Sequence, residues 1–327
     1  MTVLITGGTG MIGSYTAERI VRERSEPVVL FDLTPVQERV LHLPQGVKVV
    51  RGDVLDPFQL ADVIRRESVN CIIHLAGVLA NALNATPYRG IDINIGGLVN
   101  VLEAARVFGL GRVVFASSAM NYDFRGIQER PVTEDAPLFP ATLYATTKLT
   151  GEYLGLNYHK QFGVDFVALR LVRAYGPGYA YPGAAPNDGA RLIKDMIEGA
   201  LKSDRVRVER PPITMREWVY AKDVAQGMTR ACFATGLTER VFNLGGGRLR
   251  HCDDVTAAIR GLFPKVVFDI VEPAAQRPPQ TNWTQPVDLT RATKQLGYRP
   301  EFTLETALAD YVAEARHSMA GTQGATF

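Results

Sequence analysis

Cysteine is scarce: three residues in 327, at positions 71, 232 and 252. An odd number, widely separated, excludes a disulfide framework. Cys71 sits inside an apolar run, so reduced, buried thiols and a cytoplasmic location are expected. A charge excess is also missing. The formal net charge is +2, which gives no electrostatic case for binding nucleic acid. No apolar run approaches the roughly 18 residues of a spanning helix, so no membrane association is expected. The basic, then apolar, then small-residue order of a secretory leader is absent from the start, and none is expected. His251-Cys252-Asp253-Asp254 is the one local cluster of metal-binding residue types, and it lacks paired ligand spacing, so no metal is expected. What remains is an ordinary globular composition, 46% hydrophobic and 21% charged, at a length that suits one large domain or two intimate ones.

The most informative positive feature lies at the start. An apolar strand, Val3-Leu4-Ile5-Thr6, runs into Gly7-Gly8-Thr9-Gly10-Met11-Ile12-Gly13 and then into a helical pattern. Glycines at three-residue spacing allow a sharp turn and close backbone approach to a pyrophosphate, and the helix N-terminus adds N–H donors and a positive dipole end. A glycine cluster alone is often only a turn. The next strand supports the stronger reading, because Pro27-Val28-Val29-Leu30-Phe31 ends in Asp32. A carboxylate about twenty residues beyond the loop can accept hydrogen bonds from both adenosine ribose hydroxyls. It would repel a 2′-phosphate, and Leu33 and Thr34 bring no cation, so NAD rather than NADP is expected. Arg39 is the nearest cation.

Apolar runs at 2–6, 27–32, 47–51, 70–75, 112–117 and 164–171 alternate with helical patterns at 11–24, 57–67, 94–108 and 142–162. This alternation predicts an α/β fold with a doubly wound parallel sheet. Ligands of such sheets sit beyond the carboxyl ends of the strands. Beyond residue 172 the composition turns rich in Gly, Pro and Tyr, followed by a helix near 188–202 and a strand near 205–209. A second Pro-rich stretch spans 272–286. The expected division is a cofactor domain of 1–172 plus about 221–250 and a smaller substrate lobe of 173–220 plus about 251–316. Residues 317–327 show no periodicity and are expected to be disordered.

Tyr144-x-x-x-Lys148 opens the pattern at 142–162. A spacing of four places phenol and ammonium on one helical face. A phenol of pKa about 10 is a poor base at neutral pH, and a fixed ammonium beside it stabilises the phenolate. The pair is a candidate base for an alcohol proton. Taken alone, a packed Tyr and a solvated Lys is the commoner arrangement. Ser117-Ser118, at the carboxyl end of the strand Arg112–Ala116, adds hydroxyls at the crevice.

Together, the glycine loop, Asp53-Val54, His74-Leu75-Ala76-Gly77, Asn94, Ser118 and Tyr144-x-x-x-Lys148 resemble the extended short-chain dehydrogenase/reductases. The likeness continues through Arg170–Pro177, Arg216-Glu217-Trp218-Val219-Tyr220-x-x-Asp223, Asn243-Leu244-Gly245 and Leu296-Gly297-Tyr298-x-Pro300, covering residues 1 to about 315. The resemblance implies roles by position. Gly7, Gly10, Met11, Ile12 and Gly13 would surround the pyrophosphate, Asp32 the adenosine ribose, and Asp53 with Val54 the adenine. Leu75, Ala76 and Gly77 would line the nicotinamide side, with Asn94 and Ser117 also at the cofactor. Ser118 would bind the substrate oxygen (Ser117 is the fallback), Tyr144 would take its proton and also lie at the cofactor, and Lys148 would also hold the nicotinamide ribose. A homodimer through the helices near 94–108 and 142–162 is implied as well.

Arg216 and Arg277 match positions that bind the diphosphate in nucleotide-sugar epimerases. Arg173 stands where the family has Asn, and would suit an anionic substrate or pair with a structural acid. The Gly-Asp-Gly turn of such enzymes is replaced by residues 209–214, and their Arg-x-Gly-Asp by Arg277-Pro278-Pro279-Gln280. The family's dehydratases carry an Asp-Glu pair after the serine or threonine; here Ala119 and Met120 stand there. The expectation is an NAD-dependent enzyme acting on a small-molecule secondary alcohol, first a nucleotide-sugar epimerase. The alternatives are a dehydrogenase of a small, acidic hydroxy compound and, less well supported, a non-catalytic NAD-sensing protein.

Overall fold

In the computed structural model, the described residues are 1–40, 43–123, 131–179, 189–210, 215–271 and 285–323. The first half alternates strand and helix in chain order: β1 (Thr2–Thr6), α1 (Met11–Arg24), β2 (Val28–Asp32), α2 (Gln37–Val40), β3 (Val47–Arg51), α3 (Pro57–Arg66), β4 (Val69–His74), α4 (Ala80–Ala85), α5 (Pro87–Ile91), α6 (Gly97–Phe108), β5 (Arg112–Ser118), α7 (Leu143–Phe162) and β6 (Phe166–Leu171). The second half adds β7 (Arg173–Tyr175), α8 (Gly189–Ala200), β8 (Arg205–Glu209), β9 (Met215–Tyr220), α9 (Ala221–Phe233), β10 (Val241–Leu244), β11 (Leu249–His251), α10 (Cys252–Leu262), β12 (Val267–Val271), α11 (Thr290–Leu296) and α12 (Leu304–Gln323).

Seven strands form one sheet in the order β10-β6-β5-β4-β1-β2-β3, every neighbour parallel. The strands read as continuous apolar runs because helices cover both faces. Alternation along β1 shows it directly. Val3 and Ile5 join the core under α1 and α9, with Ala17, Ile20 and Met228. Leu4 joins the core on the other face with Leu60 and Val63 of α3 and Leu98 and Val101 of α6. The strand order reverses direction between β1 and β4, which opens a crevice at the carboxyl ends of these strands.

A second apolar core packs α8, α10 and α12 around β8, through Ile193, Met196, Val208, Ile259 and Tyr311, and reaches α1 at Met11. Its strands form a three-stranded sheet, β11-β9-β7, and a two-stranded one, β12-β8. Residues 241–244 return from this region to the edge of the large sheet.

The structure departs from the sequence expectation in several places. The helix expected from 94 begins at Gly97, preceded by one π-helical turn over Asp92–Gly96. Helix α12 continues through residues 317–323 of the tail expected to be disordered, and 324–327 lie outside the described residues. Among the described residues no helix is long and apolar enough to cross a membrane.

Candidate active site

A cleft of about 930 Å³ runs along the crevice, walled by the glycine loop, Asp32, Asp53, Val54 and Leu75–Val78 on one side and by Gly178, Tyr179 and Arg191 on the other. The loop needs its glycines. Gly7 has φ +64°, and a Cβ there would lie 2.8 Å from the Ala76 nitrogen, so only glycine lets the loop lie against the segment that follows β4. Gly10, at the N-cap of α1, supplies no side-chain cap. The first N–H groups of α1, at Met11, Ile12 and Gly13, therefore lack the usual side-chain acceptor at the cleft, an anion-binding arrangement. A long groove with backbone donors at its middle and a carboxylate at the end of β2 fits a dinucleotide.

Asp32 is built into the loop. Its Oδ2 accepts from the Thr9 nitrogen (3.0 Å) and the Thr9 hydroxyl (2.7 Å), and its Oδ1 from the Thr34 nitrogen (3.2 Å). At the next wall, Asp53 Oδ1 accepts from the Leu55 nitrogen at 2.9 Å and Oδ2 faces Arg89 at 3.4 Å. Asn94 is buried behind the cleft wall. Its Oδ1 accepts from the Val78 nitrogen at 2.6 Å, and its Nδ2 donates to Val78 O at 3.1 Å and to the Thr147 hydroxyl at 3.0 Å. The π turn aims Asn94 at this backbone, so it shapes the segment after Gly77.

Lys148 reaches the same segment from α7. Its ammonium donates to the Ala116 carbonyl at 2.8 Å, and a Cβ on Gly77 would stand 3.7 Å from it. It lies 4.9 Å from the centre of the Phe115 ring and 5.7 Å from that of Tyr144. Burial pushes its pKa down to about 8, so the ammonium is charged at neutral pH and lost above that value. Beneath it, His74 shares a 2.7 Å hydrogen bond with the Thr6 hydroxyl. Burial, then the charge of Lys148, push His74 down to about 3, which keeps the ring neutral.

The two serines part company. Successive side chains of a strand face opposite ways. Ser118 Oγ accepts from the Met120 nitrogen at 3.2 Å and opens the short turn 119–121. Ser117, expected at the cofactor or as a stand-in for Ser118, instead turns its hydroxyl into the interior and donates to Glu152. Glu152 there also accepts from Asn121 Nδ2 at 3.0 Å and from Arg170, Nε at 2.9 Å and Nη2 at 2.7 Å. Arg170 further donates to Glu134 O at 2.9 Å and lies 4.8 Å over the Tyr122 ring. This buried network, which sequence reasoning missed, joins β5, α7 and β6 under the candidate catalytic residues. A charged residue inside the apolar strand Phe166–Leu171 was its only sequence signal. Glu217 was missed in the same way: it is buried and accepts from the nitrogens of Gly247 (2.8 Å) and Val287 (2.7 Å).

In the smaller sheet, Arg173 pairs with Trp218 across β7 and β9, and Arg216 with Arg250 across β9 and β11. Arg216 and Trp218 are two residues apart, so Arg173, Arg216 and Arg250 share one face. Both Arg173 and Arg216 are half-buried. Arg277 lies outside the described residues.

Residues 3–245 match the model of the NAD dependent epimerase/dehydratase family. The chain is 25% identical over 312 residues to a putative UDP-glucose 4-epimerase of Methanocaldococcus jannaschii, covering 94% of this chain and 95% of that one. Among solved structures it is similar to the UDP-glucose 4-epimerase of Thermus thermophilus in complex with NAD, at 25% identity and a TM-score of 0.80 over 97% of this chain and 99% of that one. It shares its fold with L-threonine dehydrogenase from Clostridium difficile, at 22% identity and a TM-score of 0.82 over 97% and 98% of the two chains.

Proposed function

Because the chain belongs to the NAD dependent epimerase/dehydratase family, we propose that this NAD-dependent enzyme is a nucleotide-sugar epimerase that works through a ketone. The observation that carries the mechanism is the charged Lys148 ammonium held between the Tyr144 ring and the Gly77 wall of the dinucleotide cleft. NAD, when bound, supplies the acceptor for the hydride that a secondary alcohol gives up. Ser118 donates a hydrogen bond to the substrate oxygen, and Tyr144 takes the hydroxyl proton. The Lys148 ammonium stabilises the phenolate and holds the nicotinamide ribose. Gly7 to Gly13 cradle the pyrophosphate, Asp32 holds the adenosine ribose, and Asp53 and Val54 flank the adenine.

Dehydration is the weaker reading, because Ala119 and Met120 after Ser118 carry no group that exchanges protons. A second reading is favoured by the arginines of the small sheet: an NAD-dependent dehydrogenase of a small anionic hydroxy compound. Guanidinium suits diphosphate and carboxylate alike. We further assign 1–172 plus 221–250 to cofactor binding and 173–220 plus 251–316 to the substrate, in a cytoplasmic protein. A homodimer through α6 and α7 is supported by their exposed Val107 (64%), Phe108 (37%) and Phe162 (57%).

The deciding experiment incubates the enzyme with NAD and either UDP-hexoses or hydroxy acids, following reduced-nicotinamide absorbance and product together. Isomerised sugar without net NADH is expected. Net NADH from a hydroxy acid would replace the epimerase by the dehydrogenase reading. Two variants test the assignments. Asp32→Ala is expected to weaken NAD binding by about 3–6 kcal/mol, since two hydrogen bonds to a charged group are each worth about 1.5–3 kcal/mol. Calorimetric titration giving an unchanged affinity would remove Asp32 from the ribose site. Arg173→Ala is expected to raise KM about tenfold or more with kcat little changed, the loss of one charge-assisted contact. An unaltered KM makes Arg173 structural.

A further inference from the structure

Arg39 crosses the dinucleotide cleft. One end of its guanidinium donates to the Thr9 carbonyl of the glycine loop at 3.2 Å. The other donates to the Gly178 carbonyl, in the turn that follows β7 on the opposite wall. Both acceptors line the cleft, as does Arg39 itself. Each end is anchored. Thr9 is pinned to Asp32, and its hydroxyl also accepts from the Val36 nitrogen at 3.2 Å. Next to Gly178, Tyr179 donates its N–H to Gly176 O at 3.2 Å and buries its ring in the second apolar core. Gly178 is also shaped to receive the guanidinium. Its φ is +77°, and a Cβ there would stand 2.9 Å from Arg39 Nε.

We propose that Arg39 is a latch that ties the glycine loop to the substrate lobe across the mouth of the cofactor cleft and retains NAD between turnovers. The proposal rests on the cofactor reading above and deepens it. A planar fork of donors can hold two carbonyls at once, which an ammonium on a flexible stem does less well. A dinucleotide lying on the first turn of α1 leaves through the gap that Arg39 spans, so both hydrogen bonds part before it is released. Retention matters most for an epimerase, which uses the same nicotinamide for both halves of its cycle. Arg39 is thus a positioning residue, distinct from the groups that contact the reacting atoms.

The test is stopped-flow displacement. Enzyme loaded with NADH is mixed with excess NAD, and the loss of bound-NADH fluorescence gives the release rate; a second mixing gives the binding rate. Arg39→Ala is expected to raise the release rate about a hundredfold or more, the scale of two lost charge-assisted hydrogen bonds, with a binding rate equal to or above that of the wild type. Gly178→Ala, which keeps the arginine charge but crowds its seat, is expected to speed release as well. Release within twofold of wild type in Arg39→Ala overturns the latch. So does faster release combined with slower binding and a silent Gly178→Ala, which would make Arg39 a simple charge partner of the pyrophosphate. Failure of the wild type to bind NADH at all would remove the cofactor reading, and the latch with it.

Discussion

Tyr144→Phe is expected to lower kcat by about 100- to 10,000-fold, the range that a positioned general acid–base group contributes, while NAD still binds. The variant keeps the ring and deletes only the phenolic oxygen. The Lys148 ammonium donates to the Ala116 carbonyl and the Phe ring keeps its face beside it, so its place beside Gly77 survives the change. Asp32 stands towards the other end of the cleft, and its bonds to Thr9 of the glycine loop are untouched. The expected signature is therefore an NAD affinity like that of the wild type combined with near-absent turnover. It is read by calorimetric titration and by product formation on the same preparation. Turnover near the wild-type level would take the proton-transfer role away from Tyr144, and loss of NAD binding would mean that its phenolic oxygen is needed to hold the cofactor.

The largest stability effect is expected from Glu152→Gln, a loss of about 3–5 kcal/mol, because removing one partner of a buried ion pair strands the other charge. Glu152 is 1% exposed and Arg170 is 4% exposed. The carboxylate accepts from Ser117, Asn121 and Arg170, whereas an amide would bring two hydrogens to a place lined with donors. A double variant, Glu152→Leu with Arg170→Met, should recover much of the loss, since apolar groups of similar volume often replace such pairs at little cost. Urea unfolding with midpoint and slope compared across the three proteins measures this. A single-variant loss below about 1 kcal/mol would mean that water reaches the pair.

The cofactor half was legible because its physics is local. A parallel strand buried on both faces reads as an unbroken apolar run, and β1, β3 and α1 fall at the expected residues. The rest depends on distant partners. β7 and β11 are three residues long, and their register comes from β9, far along the chain. Neither their pattern nor their length marks them in the sequence. Ser117 and Ser118 illustrate the same limit within a site. Two adjacent hydroxyls on an extended strand face opposite ways, and only the position of Glu152 and Arg170, from α7 and β6, tells which one looks inward. That Asn94, expected at the cofactor, also holds the Val78 backbone follows from the π turn, which the sequence pattern does not mark.

The carboxylate of Asp32 holds Thr9 by both its backbone nitrogen and its hydroxyl. The part we assign to the adenosine ribose and the part we assign to the phosphate cradle are therefore one mechanical unit. Exchanging Asp32 for a smaller or cationic residue to admit a 2′-phosphate would also release Thr9 and loosen the loop. A redesign towards NADP thus has to rebuild two anchors for Thr9 before it adds any new charge, and the preference for NAD is protected by the architecture of the loop as well as by repulsion.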